Sequence, residues 1–360
     1  MVAAVKKYFE QEHGVSLSEE TTTITSVPLE GEGKVEDRVN KLYNNLINHS
    51  VWLEAVSSAD VILWATHSQG TPVSVMLMHR LLERGHIHTH RQSVGMLAMA
   101  GISHGPFPYF EADAARELFE FMDSESDISQ KFRRSLGYIM ERGIKLTLVG
   151  SMQDQVVPLY SAIISAISHP NIVRSVYIDG HIFTQENEFL IRLITFALGL
   201  RNAGLSDHGL LTHLSEVLAG SLYALEGGHS TIYEELDVYS LAVQHLFETD
   251  PLGKAILINN TQSSSRHDNR KNSITTNSSS TTEESKKEAK LYPFQAKSIK
   301  NPYYLPWAMR GICEDSLILN NPLWSDELDQ LRLMFDEWEP ISPKLRSVKI
   351  RLEPFTLTLV

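Results

Sequence analysis

The sequence predicts an α/β fold with a mostly parallel sheet and helices on both faces, and three observations carry that prediction. Short, nearly continuous apolar runs recur at residues 61–64 (VILW), 93–101 (SVGMLAMAG), 144–150 (IKLTLVG) and 173–178. Runs of this kind suit strands buried on both faces of a parallel sheet, because a strand wet on one side alternates apolar with polar instead. The stretches between them are long enough for helices and patterned as helices, as in residues 72–82, where Val73, Met76, Leu77 and Leu81 are apolar. With 360 residues and 42% hydrophobic content, the chain has enough apolar side chains to fill such a core.

In chain order, residues 1–12 mix Lys6, Lys7, Glu10 and Glu12 with apolar positions, which predicts an amphipathic helix and not a signal peptide. Residues 24–29 (ITSVPL) form the first expected strand, followed by a helix over about 35–56. The strand at 61–64 and its helix come next, then strands at 93–101, 144–150 and 173–178, with a helix-rich segment over 109–142 between the strands at 93–101 and 144–150. A helical excursion over 184–225 precedes the last helix of the core, 232–248. Residues 261–290 are nearly devoid of apolar side chains and cannot offset the entropy of ordering, which predicts a disordered insertion near the C-terminus. Beyond it a helix is expected around 328–338. A final strand is expected where Val348, Ile350 and Leu352 alternate with Lys349, Arg351 and Glu353. The expected organisation is a core over 1–258, the insertion over 259–290 and a C-terminal segment, 291–360, packed on the core.

Composition narrows the function classes. A net charge of −12, with no basic stripe, argues against a nucleic-acid partner. The single cysteine, Cys313, excludes an internal disulfide and a Cys-based zinc site and suits a reducing compartment such as the cytoplasm. The most apolar helical stretch, 189–200, carries Arg192 and is too short to span a bilayer, although peripheral contact with a membrane stays open. No cofactor is called for: Gly31-Glu32-Gly33-Lys34 lacks the spacing of a phosphate loop. His86, His88 and His90 alternate in GHIHTH, but no carboxylate or fourth ligand is placed beside them, so no metal is assigned. Asp207 and His208 diverge by about 100° on a helix, and Asp207 reads as a helix-boundary residue and not as half of an acid–base pair.

The chemistry points to Thr66-His67-Ser68-Gln69-Gly70. An apolar strand precedes these five residues and a helix follows. A serine in a tight strand-to-helix turn is raised above the carboxyl edge of the sheet, and the next backbone N–H, that of Gln69, is placed to stabilise an oxyanion. Thr66 stands where G-x-S-x-G has its first glycine. A serine hydroxyl needs a histidine to take its proton and a carboxylate to orient that histidine. Asp154, just past the expected strand at 144–150, is the candidate acid. Two histidines compete as the base: His181 in YIDGH, directly after a strand, and His229 in a Gly-rich turn before the last helix.

HSQG at 67–70, AMAGISHGPF at 98–107, DQVVPL at 154–159, GLSDHGLL at 204–211, EGGHS at 226–230 and NPYYLPWAMRG at 301–311 together resemble a fungal α/β-hydrolase-like family of serine lipase or esterase type. The likeness covers the chain apart from 261–290. It implies Ser68 as nucleophile, Asp154 as acid and His229 as base, the position of His181 commonly being arginine in relatives. A small-molecule or lipid ester is the expected substrate, lipid being suggested only by the helical excursion over 184–225, which could cap an apolar pocket. The likeness also implies strands and a His-Gly loop ahead of the first helix that this chain lacks, as if shortened at its N-terminus. That feature, Thr66 and the disordered insertion favour the rival reading, a non-catalytic scaffold of the same fold that binds a partner.

Overall fold

The computed structural model describes residues 1–18, 20–110, 113–178, 185–218, 228–249, 289–292, 294 and 304–356. Helices α1 (Val2–His13), α2 (Val35–Asn48) and α3 (Ser50–Ser58) precede strand β1 (Val61–His67). Then follow α4 (Gly70–Glu83), β2 (Ser93–Met99), a 3₁₀ segment (Asp113–Met122), α5 (Asp127–Glu141), β3 (Lys145–Ser151), α6 (Leu159–Ala162), β4 (Ile167–Ser168) and β5 (Ile172–Tyr177). The chain continues through α7 (Gln185–Asn202), α8 (Leu210–Leu218), α9 (Gly228–Thr231) and α10 (Leu236–Glu248). After β6 (Lys290–Leu291) come α11 (Tyr304–Glu314), α12 (Ser316–Leu319), α13 (Pro322–Glu337) and α14 (Pro343–Arg351).

Strands β1, β2, β3 and β5 pair in that order as a four-stranded parallel sheet. Parallel strands that are neighbours in both sequence and space need crossovers, and crossovers of one hand that all step the same way fall on one face. Helices α4 and α5 accordingly pack on each other, with α2 beside α4. The alternation along β2 and β3 divides the interior between two layers. Met96, Ala98, Leu146 and Leu148 face the α2, α4 and α5 side with Leu42, Leu77 and Phe132. Leu97, Met99 and Val149 face the other side, where Val238 and Ala242 of α10 cover them. Helix α1 packs on α10 in turn. Strands β2 and β3 are buried almost throughout, whereas edge strand β1 is half-buried over Ile62–Trp64 by sequence of exposure.

A second core joins α7 and α8 to the C-terminal helices, with Phe189, Leu193, Leu214, Met309, Leu331 and Phe335 at its centre and Val176 of β5 against it. Strands β4 and β6 form a short antiparallel ribbon. Lys290, expected in the insertion, belongs to that ribbon; the rest of 259–290 lies outside the described residues apart from Ala289.

Three expectations are corrected. Residues 24–29 form no strand: Pro28 has no N–H to give to a ladder, Ile24 is exposed, and only Val27 and Leu29 pack against the core. The helix expected over 35–56 breaks at His49, which has φ −101 and ψ 94 and whose Nδ1 accepts the Trp52 N–H to start α3. The final strand is instead α14. Val348 and Leu352, four apart, are buried with Leu345, while Ile350 is 64% exposed, so the real period is helical, and Pro343 opens the helix at its first turn.

Two buried imidazoles make stability depend on pH. His245 of α10 meets the Thr147 hydroxyl at 2.9 Å, and burial, with Lys145 nearby, pushes its pKa down to about 4. His104, also buried, is pushed down to about 3 by its burial. Between these values and the ordinary histidine value of about 6.5 the unfolded chain binds protons that the folded chain does not, so stability rises with pH across that window. The melting temperature is therefore expected to hold above pH 6.5 and fall as the pH drops toward 4, with a shallower slope for His245→Asn. An unchanged slope in that variant would remove His245 from the account.

Candidate active site

Strand β1 ends at His67 and α4 begins at Gly70, which leaves Ser68 and Gln69 to reverse the chain. Ser68 has φ 54, a left-handed conformation that costs a non-glycine residue about 1 kcal/mol or more. Its neighbours hold it there: Ser68 N–H donates to Met99 O at 2.9 Å, and Ser68 O accepts from Thr71 N–H at 3.1 Å and Ile102 N–H at 3.2 Å. Thr66 is buried, and a Cβ at Gly70 would lie 2.8 Å from its Oγ1. The close approach of strand and helix is thus relieved at position 70, and a threonine fits at 66 because Gly70 has no side chain.

Asp154 lies in the turn after β3 and is fully buried. Its Oδ1 accepts the N–H groups of Val156 at 2.7 Å and Val157 at 2.8 Å, so the carboxylate is fixed by its own turn. Its Oδ2 lies 2.7 Å from Nδ1 of His229 in α9. His229 Nε2 is 2.9 Å from Ser68 Oγ. An ionised carboxylate only accepts, which places the His229 proton on Nδ1 and leaves Nε2 to accept from the serine hydroxyl. Three residues separated by 161 and 75 positions along the chain are joined in one hydrogen-bonded line. The His229 side chain keeps 21% of its surface exposed, so the serine end of the line opens to solvent while the aspartate end is sealed.

Gln69, at the cap of α4, contributes no side-chain cap, and its N–H is among the donors a helix N-terminus leaves over, one residue from Ser68. His181 lies outside the described residues. His86 Nε2 meets the Tyr43 hydroxyl at 3.1 Å, and the His88 and His90 rings are 5.5 Å apart. Asp207 Oδ2 accepts the Leu211 N–H at the start of α8, while His208 bonds Asp315 at 2.9 Å instead. Among the described residues no group of three or more His, Cys, Asp or Glu stands where it would share a metal ion.

One residue at the site escaped the sequence reading. His67 Nε2 lies 2.7 Å from the backbone carbonyl of His229, and the two rings are 4.7 Å apart. Its only signal was adjacency to the serine.

The model of the YMC0/YMC35 alpha/beta hydrolase domain matches residues 1–272, of 360 in the chain. The chain belongs to this family. No curated protein and no solved structure matches it. The domain accounts for the parallel sheet with helices on both sides and reaches past α10, so the whole line from Ser68 to Asp154 lies within it. Among the described residues, no helix of this family member is long and apolar enough to cross a membrane.

Proposed function

We propose that the protein is a serine hydrolase that cleaves an ester, with Ser68 as nucleophile, His229 as general base and acid, and Asp154 as the carboxylate that orients His229. The observation that carries this reading is the unbroken line of hydrogen bonds from Ser68 Oγ through the His229 ring to a buried Asp154. Ser68 Oγ attacks the ester carbonyl and passes its proton to His229 Nε2, and the buried carboxylate stabilises the imidazolium. The Gln69 N–H donates to the oxyanion. Collapse of the tetrahedral intermediate breaks the ester C–O bond, and the leaving alcohol takes the proton from Nε2. Water then attacks the acyl-enzyme, with His229 again accepting the proton, and the acid is released with Ser68 restored.

Thr66, which favoured a non-catalytic scaffold, loses that weight because Gly70 makes room for it. An apolar acyl group is the preferred substrate in this reading. The support is the helical excursion of α7 and α8, which the chain inserts between β5 and α9. A fluorophosphonate probe tests the proposal. A covalent adduct mapped to Ser68 by mass spectrometry is expected; an unlabelled protein, or an adduct on another serine, would overturn it.

A further inference from the structure

Helix α9 is a single turn of four residues, too short to hold a base in place by its own hydrogen bonds. The His229 ring is fixed at its two nitrogens by Asp154 and Ser68, and neither contact restrains the main chain that carries it. His67 restrains that main chain directly at His229. A carbonyl oxygen only accepts, so the 2.7 Å contact has His67 Nε2–H donating to His229 O. The His67 ring also contacts two rings of the same segment, with the His229 centroid at 4.7 Å and the Tyr233 centroid, roughly perpendicular to it, at 5.0 Å. Tyr233 is held through its own carbonyl, which accepts from the Tyr239 hydroxyl of α10 at 2.6 Å.

From these contacts we infer that His67 is a positioning residue, which ties the main chain of the base to the nucleophile through the peptide bond between His67 and Ser68. The inference rests on the hydrolase reading of the same site. Consecutive residues of one strand end thereby grip His229 twice, one at its carbonyl and one at its ring. The distance between nucleophile and base is then held from the end of β1 as well as by the packing of Ile232 against the sheet.

The type of residue matters as well as its place. Burial holds the His67 imidazole below its ordinary protonation range. At neutral pH it therefore carries one proton, and the carbonyl places that proton on Nε2. A neutral donor restrains the base without setting a second positive charge beside the imidazolium that forms on His229 during turnover. A lysine or arginine would supply the hydrogen bond and oppose that charge.

Two variants separate the hydrogen bond from the packing. His67→Phe keeps a ring beside His229 and Tyr233 and removes the donor. His67→Gln places an N–H at about the reach of Nε2. The fluorophosphonate labelling rate is expected to fall about 10²-fold in His67→Phe, the size of effect produced by displacing a catalytic group by about 1 Å. His67→Gln is expected to stay within about tenfold of the parent, as in conservative replacement of one hydrogen-bond donor. A second readout does not depend on activity: in protein carrying ¹⁵N-histidine, the downfield Nδ1–H proton shared by His229 and Asp154 is expected to be sharp in the parent and in His67→Gln, and broadened by motion in His67→Phe. A His67→Phe protein that labels at the parental rate with a sharp resonance would overturn the inference, as would a His67→Gln protein no better than His67→Phe. A parent that shows the sharp resonance but no labelling sinks the hydrolase reading alone, and the resonances of the two variants still decide the role of His67.

Discussion

His229→Ala is expected to lower ester turnover by about 10⁶-fold, while His181→Ala retains most of the parental rate. Without the imidazole the Ser68 hydroxyl loses its 2.9 Å acceptor, and because nucleophile and base act as a unit, loss of the base costs about as much as loss of the whole triad. Oδ1 of Asp154 accepts from Val156 and Val157 and Oδ2 is engaged by His229, so His229 is the imidazole that the carboxylate orients. Hydrolysis of a short-chain p-nitrophenyl ester by the two variants checks the ranking. An active His229→Ala protein beside a dead His181→Ala protein would reassign the base. Melting temperatures accompany the assay, and little change is expected for His229→Ala because that side chain is partly solvated and outside both main cores.

The parts of this site that were legible in the sequence are those encoded locally. Strands β2 and β3 are buried on both faces, so their sequences are apolar runs that no other short element explains well. The turn at Ser68 announces itself because a strand, a serine and a helix follow one another within a few residues. Asp154 was legible for the same reason, being the acidic residue in the turn where β3 ends. The choice between His181 and His229 was different. Both lie at accessible distances from Asp154 in the sequence, and the contact of His229 with Ser68 spans 161 positions that no local pattern carries. That choice was made on family resemblance. His67 was missed because its partner is a backbone carbonyl, which every residue possesses and which leaves no mark on the sequence.

The misread elements fail for related reasons. Residues 348–352 alternate, yet two of the three apolar positions, Val348 and Leu352, are also four apart, and a five-residue window satisfies both periods. The serine and proline at 342 and 343, an N-cap followed by the first helical position, were the better evidence. Residues 24–29 carry the composition of a strand, but a strand exists only where a neighbour pairs with it. Among the described residues, β1 has its one partner in β2 and the sheet ends there. At His49 the helical pattern continues in composition across a break that one residue's dihedral angles create.

Asp154→Asn is the replacement that tells a catalytic carboxylate from one that merely caps its own turn. Asparagine fits the same space, and its carbonyl oxygen is expected to keep the bonds from Val156 and Val157, since the reverse orientation would face an NH₂ group against two N–H donors. The side-chain NH₂ then points at His229 Nδ1, where it can only donate. His229 is forced into the other tautomer, with its proton on Nε2 facing Ser68, and it can no longer accept the proton of the hydroxyl. Turnover is expected to fall about 10⁴-fold, as when the orienting carboxylate of a triad is made an amide. Unfolding by urea is expected to shift by under about 1 kcal/mol, because the two backbone bonds survive. Asp154→Ala reverses the second result: two N–H groups beside a fully buried site lose their acceptor, and at about 1–3 kcal/mol for each unsatisfied group that variant is expected to be markedly less stable. If Asp154→Asn instead kept its turnover while Asp154→Ala unfolded, the residue would serve the turn after β3 alone, and the orientation of His229 would have to come from elsewhere, with the His67 contact the first place to look.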